Sequence, residues 1–225
     1  MSERDRYELP RVLVCEGPDD VHFFERLIRE RKLPHFHVTH TGKERHTPGG
    51  HSRFGEKLEA MVTNRSFRVV TKLLLVTDSD EDMGAAFQNV RAQVQSVRDG
   101  MNEAKFGVPI APGQIAAGSP STAIITMPDD GPGNLECVLA EAARVPNPAN
   151  AAFADQFVDQ VAITPPWTLA KKGKLRLSAT TGSNWPRDPS ISLATLFRDD
   201  AAHRLIPVEH HSLNQLAQFL TDFAV

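Results

Sequence analysis

The segment Val69 to Thr77 is a near-continuous apolar run, centred on Leu73-Leu74-Leu75-Val76, and it ends abruptly in Asp78-Ser79-Asp80-Glu81-Asp82. A strand that is apolar on both of its alternating sides has to be covered on both faces. That is the property of a parallel sheet with helices packed above and below it. A second run, Arg11-Val12-Leu13-Val14-Cys15, behaves the same way and breaks into Glu16-Gly17-Pro18-Asp19-Asp20. In open parallel sheets, ligands bind just beyond the carboxyl ends of the strands. Both strands therefore deliver carboxylates to the edge where a site is expected.

The segments between these runs read as helices. Val21, Phe24, Leu27 and Ile28 fall at helical spacing after Asp19, the expected N-cap, and Pro34 stops that helix. A short strand is expected around Phe36 to Thr39, then a polar loop from Thr41 to Ser52. Phe54, Leu58, Met61 and Val62 form one helix face, and Phe87, Val90, Val94 and Val97 another, within Met83 to Val97. A Gly/Pro-rich loop leads to a fourth strand, Thr122 to Met127, and a helix follows from Leu135 to Ala143.

Strands alternating with helices of about 10–15 residues predict βαβ units and an α/β class. The expected sheet is open, with about four mainly parallel strands flanked by helices. Beyond Arg144 the pattern changes: Pro146, Pro148, Pro165, Pro166, Pro186 and Pro189 punctuate short helical pieces. Ser212 is expected to cap a last amphipathic helix, Leu213 to Phe223. The division this predicts is an α/β domain over 8–144, with a helical C-terminal appendage over 145–225 packed on it.

A hydrophobic share of 40% and a charged share of 24% are those of an ordinary soluble globular protein. No apolar run approaches the ~18 residues of a membrane span. Met1 to Arg6 mixes charge signs and does not read as a secretory signal. Cys15 and Cys137 form neither a disulfide framework nor a zinc ribbon. The expectation is a cytoplasmic protein with reduced thiols and no membrane partner. A net charge of −3 argues against gripping nucleic acid by bulk charge, so such contact would use a local patch or a bridging metal.

Asp78 and Asp80 are two apart and share one side of an extended chain, and Glu16 joins them if the two strands are neighbours. Two carboxylates 4 Å apart repel by roughly 4 kcal/mol at an effective dielectric near 20. Such a cluster is either partly protonated or neutralised by a hard divalent cation, Mg²⁺ or Mn²⁺. The bland alternative is a solvated loop leading into a helix N-terminus, where acids are favoured by the dipole. An EF-hand is excluded, because Met83 stands at the sharp-turn position and Asn89 at the twelfth.

An apolar strand, Glu16-Gly17, trailing Asp20 and a helix, followed by a second strand ending in Asp78-x-Asp80, resembles the Toprim domain. That module is shared by primases, topoisomerases, OLD-type nucleases and recombination-repair proteins. The resemblance covers roughly residues 10 to 140. Pro128-Asp129-Asp130 and Gly133-Asn134-Leu135-Glu136 extend it to short, stand-alone Toprim-like proteins of unknown function. The resemblance implies that Glu16 acts as general acid/base and partial metal ligand. It implies Asp78 and Asp80 as ligands of Mg²⁺ or Mn²⁺, with Asp82 in the outer sphere. The activity implied is phosphodiester hydrolysis, with nucleic acid or a nucleotide as partner. Nucleotidyl transfer and a non-catalytic, phosphate-binding regulatory module are the alternatives.

Asp129, Asp130 and Glu136 follow the fourth strand and are secondary acidic candidates. Asp130 or Asn134 equally suits the N-cap of the next helix. Gly17 and Asp20, with Lys43, Arg45 and Arg53 from the glycine-bearing loop, are candidates for holding phosphate or substrate. His35, His37, His40, His46 and His51 cluster there too. With no nearby cysteine and no helical histidine pair four apart, they read as a polar loop beside a substrate channel rather than a zinc site. In Lys171-Lys172-Gly173-Lys174-Leu175-Arg176, resemblance to OLD-type nucleases points to Lys174 as a catalytic lysine, and a solvated helix face is the other reading. There is no Walker A loop, no Gly-x-Ser-x-Gly elbow and no tyrosine besides Tyr7.

Overall fold

The run through Leu73–Val76 forms a central strand of a four-stranded, all-parallel sheet. The computed structural model describes residues 7–42, 49–102 and 104–225. The first half runs β1 (Arg11–Cys15), α1 (Pro18–Glu30), β2 (His37–His40), α2 (Phe54–Thr63), β3 (Lys72–Asp78), α3 (Met83–Gly100), β4 (Ser121–Met127) and α4 (Leu135–Ala143). After it come α5 (Pro148–Gln160), α6 (Leu169–Gly182), α7 (Leu193–Arg198) and α8 (Asn214–Phe223). The strand order is β2-β1-β3-β4. Among the described residues no helix is long and apolar enough to cross a membrane.

Alternation along the strands divides the core in two. Leu13, Leu74 and Ile125 point to one face, where they pack with Phe23, Phe24 and Leu27 of α1 and Leu139 of α4. Val12, Val14, Leu73, Leu75 and Ile124 point to the other, against Phe54 and Leu58 of α2 and Phe87, Val90 and Val94 of α3. Burying each such side chain contributes about 1.5–3 kcal/mol. The segment beyond Arg144 joins the first of these cores: Leu177 of α6, Phe197 of α7, and Leu220 and Phe223 of α8 lie in the same apolar cluster as the sheet.

Several sequence-based boundaries shift. Gly17, not Asp19, is the N-cap of α1, with Pro18 in the first turn and Asp20 closing a capping interaction on the Gly17 N–H. Val69 lies in a 3-10 turn, Arg65–Val69, that buries Phe67 and precedes the strand. Ser212 does not cap the last helix. It sits in a 3-10 turn where its own N–H donates to the His210 ring.

The order β2-β1-β3-β4 places the topological switch between β1 and β3, since the chain leaves their carboxyl ends toward opposite faces of the sheet. In the register between them Val14 pairs with Leu75, which brings Glu16 level with Thr77. Glu16 and Asp78 therefore flank the crevice that this topology opens.

Candidate functional site

Glu16 is held from below and from the side. Its backbone carbonyl accepts from Thr41 Oγ1 at 2.9 Å. Gly49 passes so close that a Cβ there would lie 1.7 Å from the same carbonyl oxygen, so only glycine fits. Its side-chain Oε1 accepts from Thr77 Oγ1 at 2.5 Å and from the Asp78 N–H at 2.9 Å. Three turns of chain thus converge on one glutamate.

Asp78 is fixed by the next crossover. Its Oδ1 accepts from the Leu135 N–H at the start of α4, at 3.0 Å. Ser79 is fully buried; its N–H donates to the Met127 carbonyl at 2.9 Å and its hydroxyl to the Pro128 carbonyl at 2.6 Å. The Asp80 carbonyl accepts from the Gly133 N–H at 2.7 Å. Asp80 itself is exposed and adopts φ 47, a left-handed conformation that non-glycine residues rarely hold without a local reason. The Asp-Ser-Asp turn is therefore stitched to the β4–α4 loop at each of its three residues.

The remaining wall comes from α4 and α6. Asn134 is buried and caps α4 through the Cys137 N–H, and its amide reaches the Ala170 carbonyl of α6 at 3.3 Å. Gly173, in the middle of α6, lies against Cys137, where a Cβ would come within 2.3 Å of Sγ. This close helix approach carries Lys174 to the site, with Nζ 3.7 Å from Glu136 Oε1.

The electrostatics follow from that crowding. Burial pushes the Asp20 carboxyl up to about 7, with Glu136 and Glu16 adding to it against the Gly17 N–H. Burial likewise pushes Asp78 well above the usual carboxylate range, reinforced by the charges of Asp20, Glu16 and Glu136. Glu136 is raised by burial, with Lys174 opposing. Burial pulls the Lys174 ammonium down, but the combined field of Glu136, Asp78, Asp20 and Asp80 more than reverses it. Four carboxylates from three segments, α1, the turn ending β3 and α4, thus act on one lysine.

The donor chemistry fits a hard cation, since Glu16, Asp20 and Asp78 each commit only one carboxylate oxygen to the protein bonds described above. A cavity of about 10 Å³ lies among Glu16, Asp20, Thr77, Asp78 and Leu135, with Phe24, Val76 and Met127 behind it. That is the scale of one water-sized occupant. Among the described residues no basic side chain lines it. Among the described residues, no three His, Cys, Asp or Glu side chains stand as a ready-made metal cage. Binding a cation there would require the free oxygens to swing inward.

The other sequence candidates are dispersed. Asp82 is exposed and spends Oδ1 on the Ala85 N–H as the N-cap of α3. Asp129 and Asp130 are exposed in the turn after β4. Arg53 stands just before α2, 3.4 Å from Glu56. Lys43, Arg45 and His46 lie outside the described residues. His35 and His51 are exposed, His37 meets the Tyr7 ring, and the buried His40 accepts from the Gly42 N–H. Sequence reasoning missed Thr77 and Gly173. A glycine inside a basic helical run was the available signal for the second, because isolated helical glycines often mark close packing.

A family model described as "Protein of unknown function (DUF3226)" matches residues 10–224. No curated protein and no solved structure matches the chain.

Proposed function

The chain belongs to the DUF3226 family, and from that premise we propose that it is a Mg²⁺- or Mn²⁺-dependent phosphodiester hydrolase acting on nucleic acid or a nucleotide. The observation that carries this reading is the gathering of Glu16, Asp20 and Asp78 around one cavity at the β1/β3 switch point, with Glu136 beside them and Lys174 Nζ 3.7 Å from Glu136 Oε1. The likeness of Glu16-Gly17 and Asp78-x-Asp80 to Toprim motifs supports it, and the parallel sheet is compatible with that module.

Glu16, Asp78 and Asp80 would hold the cation, which when bound polarises a phosphoryl oxygen and acidifies a water. Glu16 keeps one oxygen on Thr77 and the Asp78 N–H and uses the other to handle the proton. Lys174, 60% exposed, would turn from Glu136 to a charged phosphate. The test is hydrolysis of single- and double-stranded DNA and RNA with Mn²⁺, wild type against Asp78→Ala. Equal rates for the two proteins remove the mechanism.

The smallness of the cavity favours a second reading, a non-catalytic module that binds a cation with a nucleotide or phosphorylated partner. Mn²⁺-dependent nucleotide binding without turnover would select it. Incorporation of labelled nucleotide would instead select nucleotidyl transfer by the same carboxylates.

A further inference from the structure

The helix α6 carries Lys171, Lys172, Lys174 and Arg176 and no acid, in a chain whose net charge is −3. Two of these cations are matched within the protein. Arg176 pairs with Asp155 at 3.1 Å and with Asp159 at 2.6 Å, and Lys174 leans on Glu136 at 3.7 Å. Among the described residues Lys171 and Lys172 form no ion pair. Folding gains nothing from Lys171. It is exposed in the first turn of its helix, where a cation opposes the helix dipole at a cost of roughly 0.3–1 kcal/mol.

The place of that turn gives the lysine a use. The helix α6 runs beside α4 in the same direction: the Ala170 carbonyl accepts from the Asn134 amide, and Gly173 lies against Cys137. Asn134 and Leu135 open α4 at the carboxyl edge of the sheet, where the Leu135 N–H holds Asp78. Lys171 precedes Lys174 by three residues, so the two share a helix side, about 4.5 Å apart along the axis. Lys174 faces Glu136 and lies in the field of Asp78 and Asp80. Lys171 therefore stands farther out, level with the start of α4, at the rim of the same crevice.

We infer that Lys171 is a second phosphate contact, taking the group next to the one that Lys174 stabilises. The substrate is then a polynucleotide strand rather than a mononucleotide or another small diester. This rests on the phosphodiesterase reading, which sets where the scissile phosphate lies. Lysine contacts to phosphate position a strand without reading its bases. A local pair of such contacts suits a chain with no net positive charge to draw polyanions from afar. A flat anionic membrane would press its charge on the exposed Asp80, Asp129 and Asp130 of the neighbouring turns, whereas a single strand can run past them along α6.

Fluorescence anisotropy of a short, labelled, single-stranded deoxyoligonucleotide over a range of salt, with Ca²⁺ present to slow hydrolysis, tests the contact. Lys171→Gln should lower the slope of log affinity against log salt by about 0.7, the value of one lost phosphate contact on a single strand. Lys171→Arg should restore it. Lys105→Gln, which removes the same charge from the exposed bridge before β4, should leave it unchanged. In Mn²⁺, Lys171→Gln should raise KM for the oligonucleotide several-fold and hydrolyse bis(p-nitrophenyl) phosphate at the wild-type rate. The slope change without hydrolysis of either substrate by wild type would contradict the phosphodiesterase and keep Lys171 as a strand contact. Hydrolysis by wild type with Lys171→Gln unchanged on both substrates, or equally impaired on both, would keep the phosphodiesterase and overturn the contact. So would a wild type that binds no oligonucleotide, an equal slope change in Lys105→Gln, or tighter binding to phosphatidylserine vesicles than to the strand.

Discussion

The Asp78 N–H donates to Glu16 Oε1 at 2.9 Å, so the carboxylate that follows β1 is fastened to the last residue of β3. This bond makes the two strand ends one unit. It also means that the acidic cluster is built by the sheet's own register, with Leu135 N–H holding Asp78 from the α4 side.

Stability should fall as pH rises from about 4 to about 7. Asp20 and Asp78 are raised in the folded protein, so the native state binds more protons than the unfolded chain across that window. Their contribution is fully present below the ordinary carboxylate pKa and is lost as pH passes the folded value. Asp20→Asn should flatten this slope and stabilise the protein at pH 8 by on the order of 2–4 kcal/mol. Urea unfolding of both proteins at pH 5 and pH 8 checks it; an unchanged slope contradicts the buried-acid account.

Lys174 is the counter-charge of the cluster, not a ligand. Lys174→Met should therefore leave Mn²⁺ affinity equal or tighter while lowering hydrolysis by about 10²–10³-fold, the usual loss when a transition-state charge stabiliser is removed. Lys174→Arg should restore part of the rate. Metal affinity measured beside turnover separates these effects, and parallel losses of both would show that Lys174 is needed for the fold of the site instead.

Gly173→Ala should be destabilising although it adds a better helix former. In an open helix the change gains roughly 0.5–1 kcal/mol. Here the new methyl would meet Cys137 Sγ at 2.3 Å and force α6 off α4, costing about 1–3 kcal/mol. Thermal unfolding gives the sign directly. Pairing it with Cys137→Ala should recover much of the loss.

Asp80→Gly should trade function for stability. The left-handed backbone at φ 47 costs roughly 1–2 kcal/mol for an L-residue and nothing for glycine. The variant should unfold at a higher temperature yet bind Mn²⁺ more weakly. A variant that is both less stable and unimpaired in metal binding would contradict the role given to this turn.

The sheet was legible because Leu73 to Val76 and Val12 to Val14 are apolar on both alternations, a pattern that demands cover on both faces. The acids were legible for the same reason, since they begin where that pattern stops. Val69 misled because its β preference was overridden by context: it lies half-exposed in a 3-10 turn whose buried side chain is Phe67. The meeting of Lys174 with Glu136 is a long-range event. It depends on Gly173 and Asn134 locking α6 to α4, and no local periodicity encodes that. At Asp82 the sequence left two roles open, because an acid before a helix is as good a cap as it is a ligand; the Ala85 N–H takes its Oδ1.

Calorimetric titration of Mn²⁺ into wild type and Asp78→Asn at pH 8 addresses the cation most directly. Asparagine keeps an oxygen for the Leu135 N–H, so the fold of the turn survives while the charge is gone. The wild type should bind with a dissociation constant between micromolar and millimolar, and the variant should show little or no heat. Equal binding in both, or none in either, would mean that the carboxylates at the β1 and β3 ends do not capture a cation.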